Sequence, residues 1–518
     1  MMKAKLYIIA LMSIALFYSC NDFLDVVPDN RTVLDSPEAV QQLIVDAYPG
    51  VHYFHICEIM SDNAGERNVT GTPAREILNR EMYYWEEGFL SGTNQDTPSY
   101  LWTGYYNAIA SANQALQSIS EAPDQSKYQA QKGEALICRA FAHFILVNIF
   151  AEHYDPATAA TMLGIPYNTE PENVAIKHYK RNSVAEVYDL IEKDLTEGLP
   201  LIADNVYEVP KYHFTKAAAN AFASRFYLYK GDWDKTIQHA DIALGDNIDA
   251  KILPLNAPVF ADADATTYRA QYRRVDQPNI LLLSGGASWW ARDAGSSSLR
   301  YGMLTRHWSN VMITRNIEGS SNYYKGWQTA AANAIYLYKY PEYFKYSYQG
   351  ANTGVGYVMG ALITIEEALM NRAEAYAMKG GADNVGKAIA DMTMFLKKRL
   401  NLTSLGGVFT PITMNMVQSL YDNNTLYPDL NPFYKTSISA EQMSLLKFIT
   451  DWRRKEFFLE GMRWFDIKRF HLEVTHPFDA SSATDPNKIS IVLKADDPRR
   501  AVQIPSAAQS FGVEANPR

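Results

Sequence analysis

The sequence predicts a mainly α-helical fold: paired helical hairpins stacked as a scaffold, interrupted by long irregular, loop-rich insertions and completed by a few short strands. Two observations carry this expectation. Apolar residues recur at three- and four-residue spacing over residues 38–48, 100–119 and 132–150, the period of a helix with one buried face. In the last of these Leu136, Phe141, Phe144, Ile145 and Ile149 fall on one side. Second, two distant segments repeat one pattern. Residues 215–244 contain Ser224, Tyr227, Gly231 and Trp233, then Ala240 and Ala243; residues 364–400 contain Ala373, Tyr376 and Gly380 at the same spacing, with a second helix from about Lys387. Small residues let two helices approach and glycine makes the turn, which is the logic of a tetratricopeptide hairpin. A TPR-like scaffold follows.

Taken in order, the chain opens with two lysines and no acid in its first five residues, then an apolar stretch over residues 6–18, Ser19, Cys20 and the polar Asn21-Asp22. A cationic start, a short apolar core and a small residue at the cut read as a secretory signal over residues 1–19. Cys20 is the expected site of lipidation, with bulkier neighbours in Phe17 and Tyr18 than a bacterial lipobox usually carries. More than one acyl chain on that thiol makes anchoring stable. Residues 21–33 suit a short polar arm. A first helical region is expected over residues 20–247 and a second over 248–518. The second opens with an insertion, residues 248–341, rich in Gly, Ser, Asn, Pro and aromatics and without helical period. Residues 401–436 are a second irregular stretch, and residues 479–518 read as loops and short strands.

Composition excludes some partners. Among 518 residues the formal net charge is −9, and no Lys/Arg-rich run occurs, whereas a polyanion needs a basic surface, so nucleic acid is not expected. Several catalytic signatures fail on inspection. Gly354, Gly356 and Gly360 are spaced one residue too far for a dinucleotide fingerprint and read as a turn; Gly381 to Lys387 mimics a phosphate loop until Ala388 stands where Ser or Thr should bind magnesium. His52, His55 and Cys57 lack a second ligand cluster and read as a partly buried segment rather than a metal site. No cofactor and no metal are expected. The run from Arg453 to Arg469 packs Glu456, Glu460 and Arg463 among Phe457, Trp464 and Phe465; read as one helix, its charges share a face and fix how helices dock.

That run carries a resemblance. Glu460-Gly461-Met462-Arg463-Trp464-Phe465-Asp466-Ile467-Lys468-Arg469 resembles the Glu-Gly-x-Arg-Trp-Phe-Asp-x-x-Arg motif of the SusD/RagB family. Other landmarks follow in family order: Cys20 to Pro28, Trp102 to Asn113, Gly133-Glu134-Ala135 with Arg139-Ala140-Phe141, Ala373-Glu374-Ala375, Ile504-Pro505 and Asn516-Pro517. The likeness runs through the whole mature chain, although the irregular middle matches no family pattern. It implies an outer-membrane, surface-exposed lipoprotein that sits on a SusC-like TonB-dependent transporter and delivers oligosaccharides without cleaving them. RagB-like relatives handle peptides instead, and a surface glycoside hydrolase is the remaining alternative.

A sugar packs its C–H faces on aromatic rings and needs donors and acceptors for its hydroxyls. The first candidate platform is therefore Trp289-Trp290 with Arg292 and Asp293, which follow Gly285-Gly286 in loop-like sequence. Asn322, Tyr323, Tyr324 and Trp327 form the second, and Tyr84 and Trp85, with Tyr83, the third. Trp102, Trp233 and Trp464 lie in helical or turn motifs and are assigned to the core.

Overall fold

The computed structural model describes residues 34–518 except 68, 70–72, 89–93, 173–176, 295–298, 303, 310, 312–315, 318–327, 332–333, 338, 349, 404, 434–436 and 479–489. The expected signal, Cys20, Asn322, Tyr323, Tyr324 and Trp327 therefore lie outside the described residues.

The N-terminal half is helical, as its spacing predicts. Helix α1 (Pro37–Ile44) starts at Ser36, whose hydroxyl accepts from Ala39 N, and ends in a 3₁₀ turn. Helices α2 (Phe54–Met60), α3 (Pro73–Tyr83), α4 (Pro98–Glu121), α5 (Gln129–Phe150) and α6 (Val184–Gly198) follow. Thr97 caps α4, and Ser183 with Glu186 forms a reciprocal capping box on α6, satisfying backbone N–H groups that a helix start leaves unpaired. α5 is buried nearly all round and packs between α4 and α6.

Two hairpins answer the repeated pattern. α7 (Lys216–Lys230) ends where Gly231 adopts φ +81°, and α8 (Trp233–Leu244) returns along it. Only glycine enters that left-handed conformation at no steric cost. After the insertion, α14 (Ile365–Lys379) and α15 (Ala382–Leu396) form the second hairpin, and α14 packs on both α7 and α8. Ala219, Ala223, Ala373 and Ala377 are fully buried, so backbones approach closely at the small residues. The second helix of that pair begins at Ala382, one turn before the expected position. Gly381, Gly386 and Lys387, the phosphate-loop look-alike, belong to its start. α16 (Met414–Tyr421), α17 (Ala440–Glu456), α18 (Met462–Arg469) and the short α19 (Ser506–Ser510) complete the helices.

The region between the hairpins is more ordered than its composition predicts. It holds the short helices α9 (Ile248–Lys251), α10 (Pro258–Ala261), α11 (Ala265–Tyr272), α12 (Trp290–Asp293) and α13 (Thr305–Trp308). It also supplies strand β2 (Ile280–Gly286), which pairs antiparallel with β7 (Gly354–Thr364), and β7 pairs with β6 (Glu342–Tyr346). Gly354, Gly356 and Gly360 are thus strand residues, not a turn, paired with Tyr346, Phe344 and Ser284, and neighbours occupy the space a Cβ would need: at Gly360 it would meet Phe54 Cε2 at 2.6 Å. Small pairs complete the strands: β1 (Gly65–Glu66) with β3 (Tyr301–Gly302), β4 (Gln328–Ala331) with β5 (Ala334–Leu337), and β8 (Val474–Pro477) with β9 (Ser490–Leu493).

The Arg453–Arg469 run is not one helix. It breaks over residues 457–461, where Leu459 (φ +69°) and Gly461 (φ +71°) are left-handed. Glu456, Glu460 and Arg463 therefore do not share a face, and each finds a separate partner.

Candidate functional site

The residues of that run are braces. Glu456 takes two donors from Arg399, both at 2.7 Å, and Arg399 also reaches Glu366. Glu460 meets Arg273 and Lys339, each at 2.9 Å. Arg463 forks onto Asp62 at 2.8 Å twice, and Gly461 N donates to Glu58. Asp466 receives Arg453 at 3.3 Å and Arg469 at 2.7 Å, while Arg469 forks onto Glu374 at 2.6 and 3.0 Å. Trp464 has no exposed surface. Buried carboxylates with two or more cations are held ionised, and Asp466 and Glu460 are both lowered against the opposing effect of burial. These groups tie α18 to α14, α17 and the N-terminal half, and all but the partly exposed Asp62 are buried.

The exposed chemistry lies on the sheet. β6 ends the order β2–β7–β6, and all five of its residues are exposed. Tyr343, Phe344 and Tyr346 are 40, 48 and 60% exposed, and Tyr348 in the following loop is 71%. Because strand side chains alternate, Tyr343 lies on one face, with its register partner Tyr357 stacked against it at 5.6 Å. Tyr212, 40% exposed, neighbours that pair: partial burial, then Tyr357 and Tyr212, raises the Tyr343 phenol. On the other face stand Glu342, Phe344 and Tyr346, the two rings edge to face at 5.0 Å. Phe344 and Tyr346 stand opposite Gly356 and Gly354. The bare glycines leave room for these neighbours: a Cβ at Gly354 would meet Phe344 Cε1 at 2.7 Å, and one at Gly356 would meet Glu342 Oε1 at 2.8 Å and Arg292 Nη2 at 3.5 Å.

Arg292 connects this surface to α12, donating Nε to Glu342 at 2.7 and 3.0 Å. The single turn of α12 sorts the first candidate platform by its helical period. Trp289 and Arg292 point outward, half-buried and exposed; Trp290 and Asp293 point inward. Trp290 is 2% exposed, donates its indole N–H to Leu459 O at 2.7 Å and stacks on His55 at 4.7 Å. Asp293 is buried against Arg75 at 2.6 Å. Both are corrected from ligand contacts to plugs under the loop, because a tight helical turn rather than a splayed loop follows Gly285-Gly286. Trp85 is likewise buried, its indole donating to Met60 O at 3.0 Å and its ring stacked on His476 at 4.5 Å. Tyr84 is half-buried and donates to Glu66 at 2.9 Å. Trp102 and Trp464 are core, while Trp233 is only partly buried.

The structure thus brings Arg292 to rings that the sequence reading missed, Phe344 and Tyr346 on the Glu342 face, with Tyr343 on the opposite face and Tyr348 in the loop beyond. The signal was present. Residues 342–348 read Glu-Tyr-Phe-Lys-Tyr-Ser-Tyr, four rings interleaved with polar residues, directly after the boundary drawn at Pro341. His52, His55 and Cys57 are not a loosely buried segment; all are inside, and burial pushes the Cys57 thiol up.

Known proteins place this architecture. The profile of a SusD-like family, described as starch-binding associating with outer membrane, matches residues 22–228, and that of the SusD family (SusD/RagB) matches residues 268–511. Among curated relatives, SusD-like protein P2 of Formosa agariphila is 22% identical over 418 residues, 74% of each chain. SusD-like protein P38 of the same organism is 24% identical over 243 residues, 43% of this chain and 42% of the relative. Among solved structures, a SusD superfamily protein from Bacteroides thetaiotaomicron has a TM-score of 0.63 at 17% identity, covering 93% of this chain and 100% of its own. A laminarin-binding SusD-like protein has a TM-score of 0.53 at 16% identity, covering 93% and 98%. With both halves of the chain matched in order and the helical scaffold shared throughout, this protein belongs to the SusD/RagB family.

Proposed function

We propose that the protein is a glycan-binding lipoprotein of the bacterial surface, which captures oligosaccharide or polysaccharide on the β6–α12 face and passes it to a SusC-like TonB-dependent transporter without cleaving it. Cys20, acylated after removal of residues 1–19, tethers it to the outer membrane. The observation that carries this reading is the exposed pair Phe344 and Tyr346 on the Glu342 face, with Tyr348 exposed in the loop beyond and the Arg292–Glu342 pair beside them. Rings take the apolar faces of pyranoses, while a guanidinium and a carboxylate take the hydroxyls. A monomeric protein rarely leaves so many large rings together in water unless they meet a partner. The laminarin-binding neighbour supports the same ligand class. An open surface of this kind binds weakly, with about 4–8 kcal/mol, in the millimolar to micromolar range.

A second reading has its own observation. β6 is the terminal strand of its sheet among the described residues, so one row of backbone N–H and C=O groups is free to add an extended peptide, as a RagB-like uptake protein requires. Titration calorimetry of the mature protein with laminarin, other soluble glycans and mixed peptides separates the readings. Glycan binding should fall on the order of tenfold, about 1.4 kcal/mol, in Tyr346→Ala/Tyr348→Ala and in Trp289→Ala. Equal binding by these variants removes the site; binding of peptides alone favours the second reading. Release of reducing ends from the glycan overturns the non-catalytic role.

A further inference from the structure

Beneath the Trp289–Arg292 turn, charged groups from four separate segments meet out of water. His55 on α2 has 1% side-chain exposure, Asp96 before α4 has 1%, Asp293 on α12 has 6%, and Arg75 on α3 has 19%. His55 Nδ1 lies 3.3 Å from Asp96 Oδ2, and Nε2 lies 2.6 Å from Asn79 Oδ1 and 3.6 Å from Asp293 Oδ2. The Asn79 amide is oriented from its other end, where Nδ2 donates to Asp293 Oδ2 at 3.4 Å; its oxygen therefore faces the imidazole as an acceptor. Arg75 Nη1 is 2.6 Å from Asp293 Oδ1. The Trp290 ring closes the remaining side of the imidazole, stacked at 4.7 Å.

Charge decides the state of the ring. Two carboxylates face it and, among the described residues, Arg75 is the one other cation paired with them, so a neutral imidazole leaves one buried negative charge uncompensated. Unpaired buried charge is among the costliest arrangements a fold can hold. Asp96 is also the residue that holds the loop: its carboxylate accepts from Ser288 Oγ at 2.7 Å and from Trp289 N at 2.6 Å, and its own backbone is left-handed, φ +62°.

We propose that His55 is a fixed imidazolium, a positioning residue that pairs with Asp96 and Asp293 and thereby holds the segment presenting Trp289 and Arg292 to ligand. The ligand part rests on the glycan reading above; the charge state does not. Burial opposes the cation here, but the close approach of Asp96 at 3.3 Å and the charges of Asp96 and Asp293 outweigh it, and the pKa is raised from 6.5. Burial also raises the Asp293 carboxyl, with His55 and Arg75 countering. His476 is the instructive contrast: both its nitrogens face backbone carbonyls at 3.0 and 2.8 Å, and burial lowers it to about 4 although the charge of Asp62 acts to raise it. His52, the nearest histidine in the chain, is lowered to about 4 in the same way. Because the folded pKa of His55 lies above its unfolded value, the hold is complete below pH 6.5 and is lost as pH rises through the folded pKa.

The test uses the whole mature protein labelled with ¹³C- and ¹⁵N-histidine, with the His55 signal assigned by its absence in His55→Gln. A titration midpoint above 6.5, with the imidazolium spectrum below it, is expected; a midpoint at or below 6.5 overturns the proposal. Asp96→Asn removes one carboxylate and should lower that midpoint, which keeps the test open where His55→Gln does not fold. Hydrogen exchange of amides 286–294, corrected for intrinsic rates, should accelerate on the order of tenfold across the same midpoint. Exchange that ignores the midpoint overturns the positioning role. Laminarin affinity should follow the same step; if laminarin and other glycans do not bind at any pH, the glycan reading fails while spectra and exchange still decide His55.

Discussion

His143 sits inside the N-terminal helices with Nδ1 donating to Arg139 O at 2.9 Å and Nε2 accepting from Asn168 N at 3.1 Å. One donor and one acceptor are what a neutral imidazole offers, and burial lowers the pKa to about 3. Burial likewise lowers His52 to about 4 and His153 well below 6.5. In the unfolded chain each is protonated near 6.5, so the unfolded state binds more protons below that pH. Their stabilising effect is therefore present above pH 6.5 and lost as pH falls toward 4, at about 1.4 kcal/mol per pH unit for each. Glu58 acts in the opposite sense. Burial raises it to about 7, so its contribution is present below 4.5 and lost as pH rises from 4.5 to about 7. With His476, also lowered to about 4, four buried histidines outweigh Glu58 and the raised Asp293 carboxyl, and the melting temperature should fall from pH 7 to pH 5. A flat or rising melting curve over that range would show that these rings find water or partners on protonation.

At the scale of elements, glycines separate two kinds of position. Gly461 starts α18 at φ +71°, and a Cβ there would meet Cys57 Cβ at 2.9 Å and Phe54 backbone at 3.1 Å. Gly386 lies within α15 with open space around it. Gly461→Ala should cost about 1–2 kcal/mol for the left-handed backbone and about 1–3 kcal/mol more for the clash. Gly386→Ala should stabilise by about 1 kcal/mol, the helix-propensity difference. Urea denaturation of both variants checks the pair, and equal shifts would contradict the packing at Gly461. The same contrast explains what could be read from the chain. Helices with an apolar period of three and four residues were legible, as were Gly231 and the alanine-lined hairpins, because the signals are local. The break at Leu459 was not: residues 453–469 keep helical spacing, and the left-handed turn is fixed by contacts with α2, far away in sequence. Trp289 and Trp290 looked equivalent as neighbours in a glycine-led loop, and only one turn of helix sends one out and one in. The aromatic face of β6 was visible as composition but not as a site, since its meaning comes from β7 glycines opposite it and from Arg292 brought across the sheet.

Across the whole molecule, the most apolar helix depends on the far end of the chain. Residues 125–150 are long and apolar enough to cross a membrane by length and composition, yet residues 133–150 are all buried within the fold. Burying it creates a polar problem at its C-terminal end, where the last carbonyls of a helix have no partner within it. Here they are met from a distance. Lys468 Nζ donates to Asn148 O at 2.8 Å, Val502 N to Ile149 O at 3.0 Å, and Asn516 Nδ2 to Phe150 O at 2.9 Å and Val502 O at 2.7 Å. Gln503 Oε1 accepts from Asn516 N at 2.7 Å and fixes that side chain in place. The Asn516-Pro517 landmark is therefore a cap for α5 delivered across 366 residues. Asn516→Ala leaves Val502 O without that donor and Phe150 O with Arg181 Nη2 at 3.4 Å, and should cost about 1–3 kcal/mol, measured as a drop in the urea midpoint at unchanged slope. Removal of residues 502–518 also uncovers the apolar end of α5, and the truncated protein should bind a hydrophobic dye and leave the soluble fraction. A truncated chain that stays soluble with native stability would mean that α5 is closed by its helical neighbours alone.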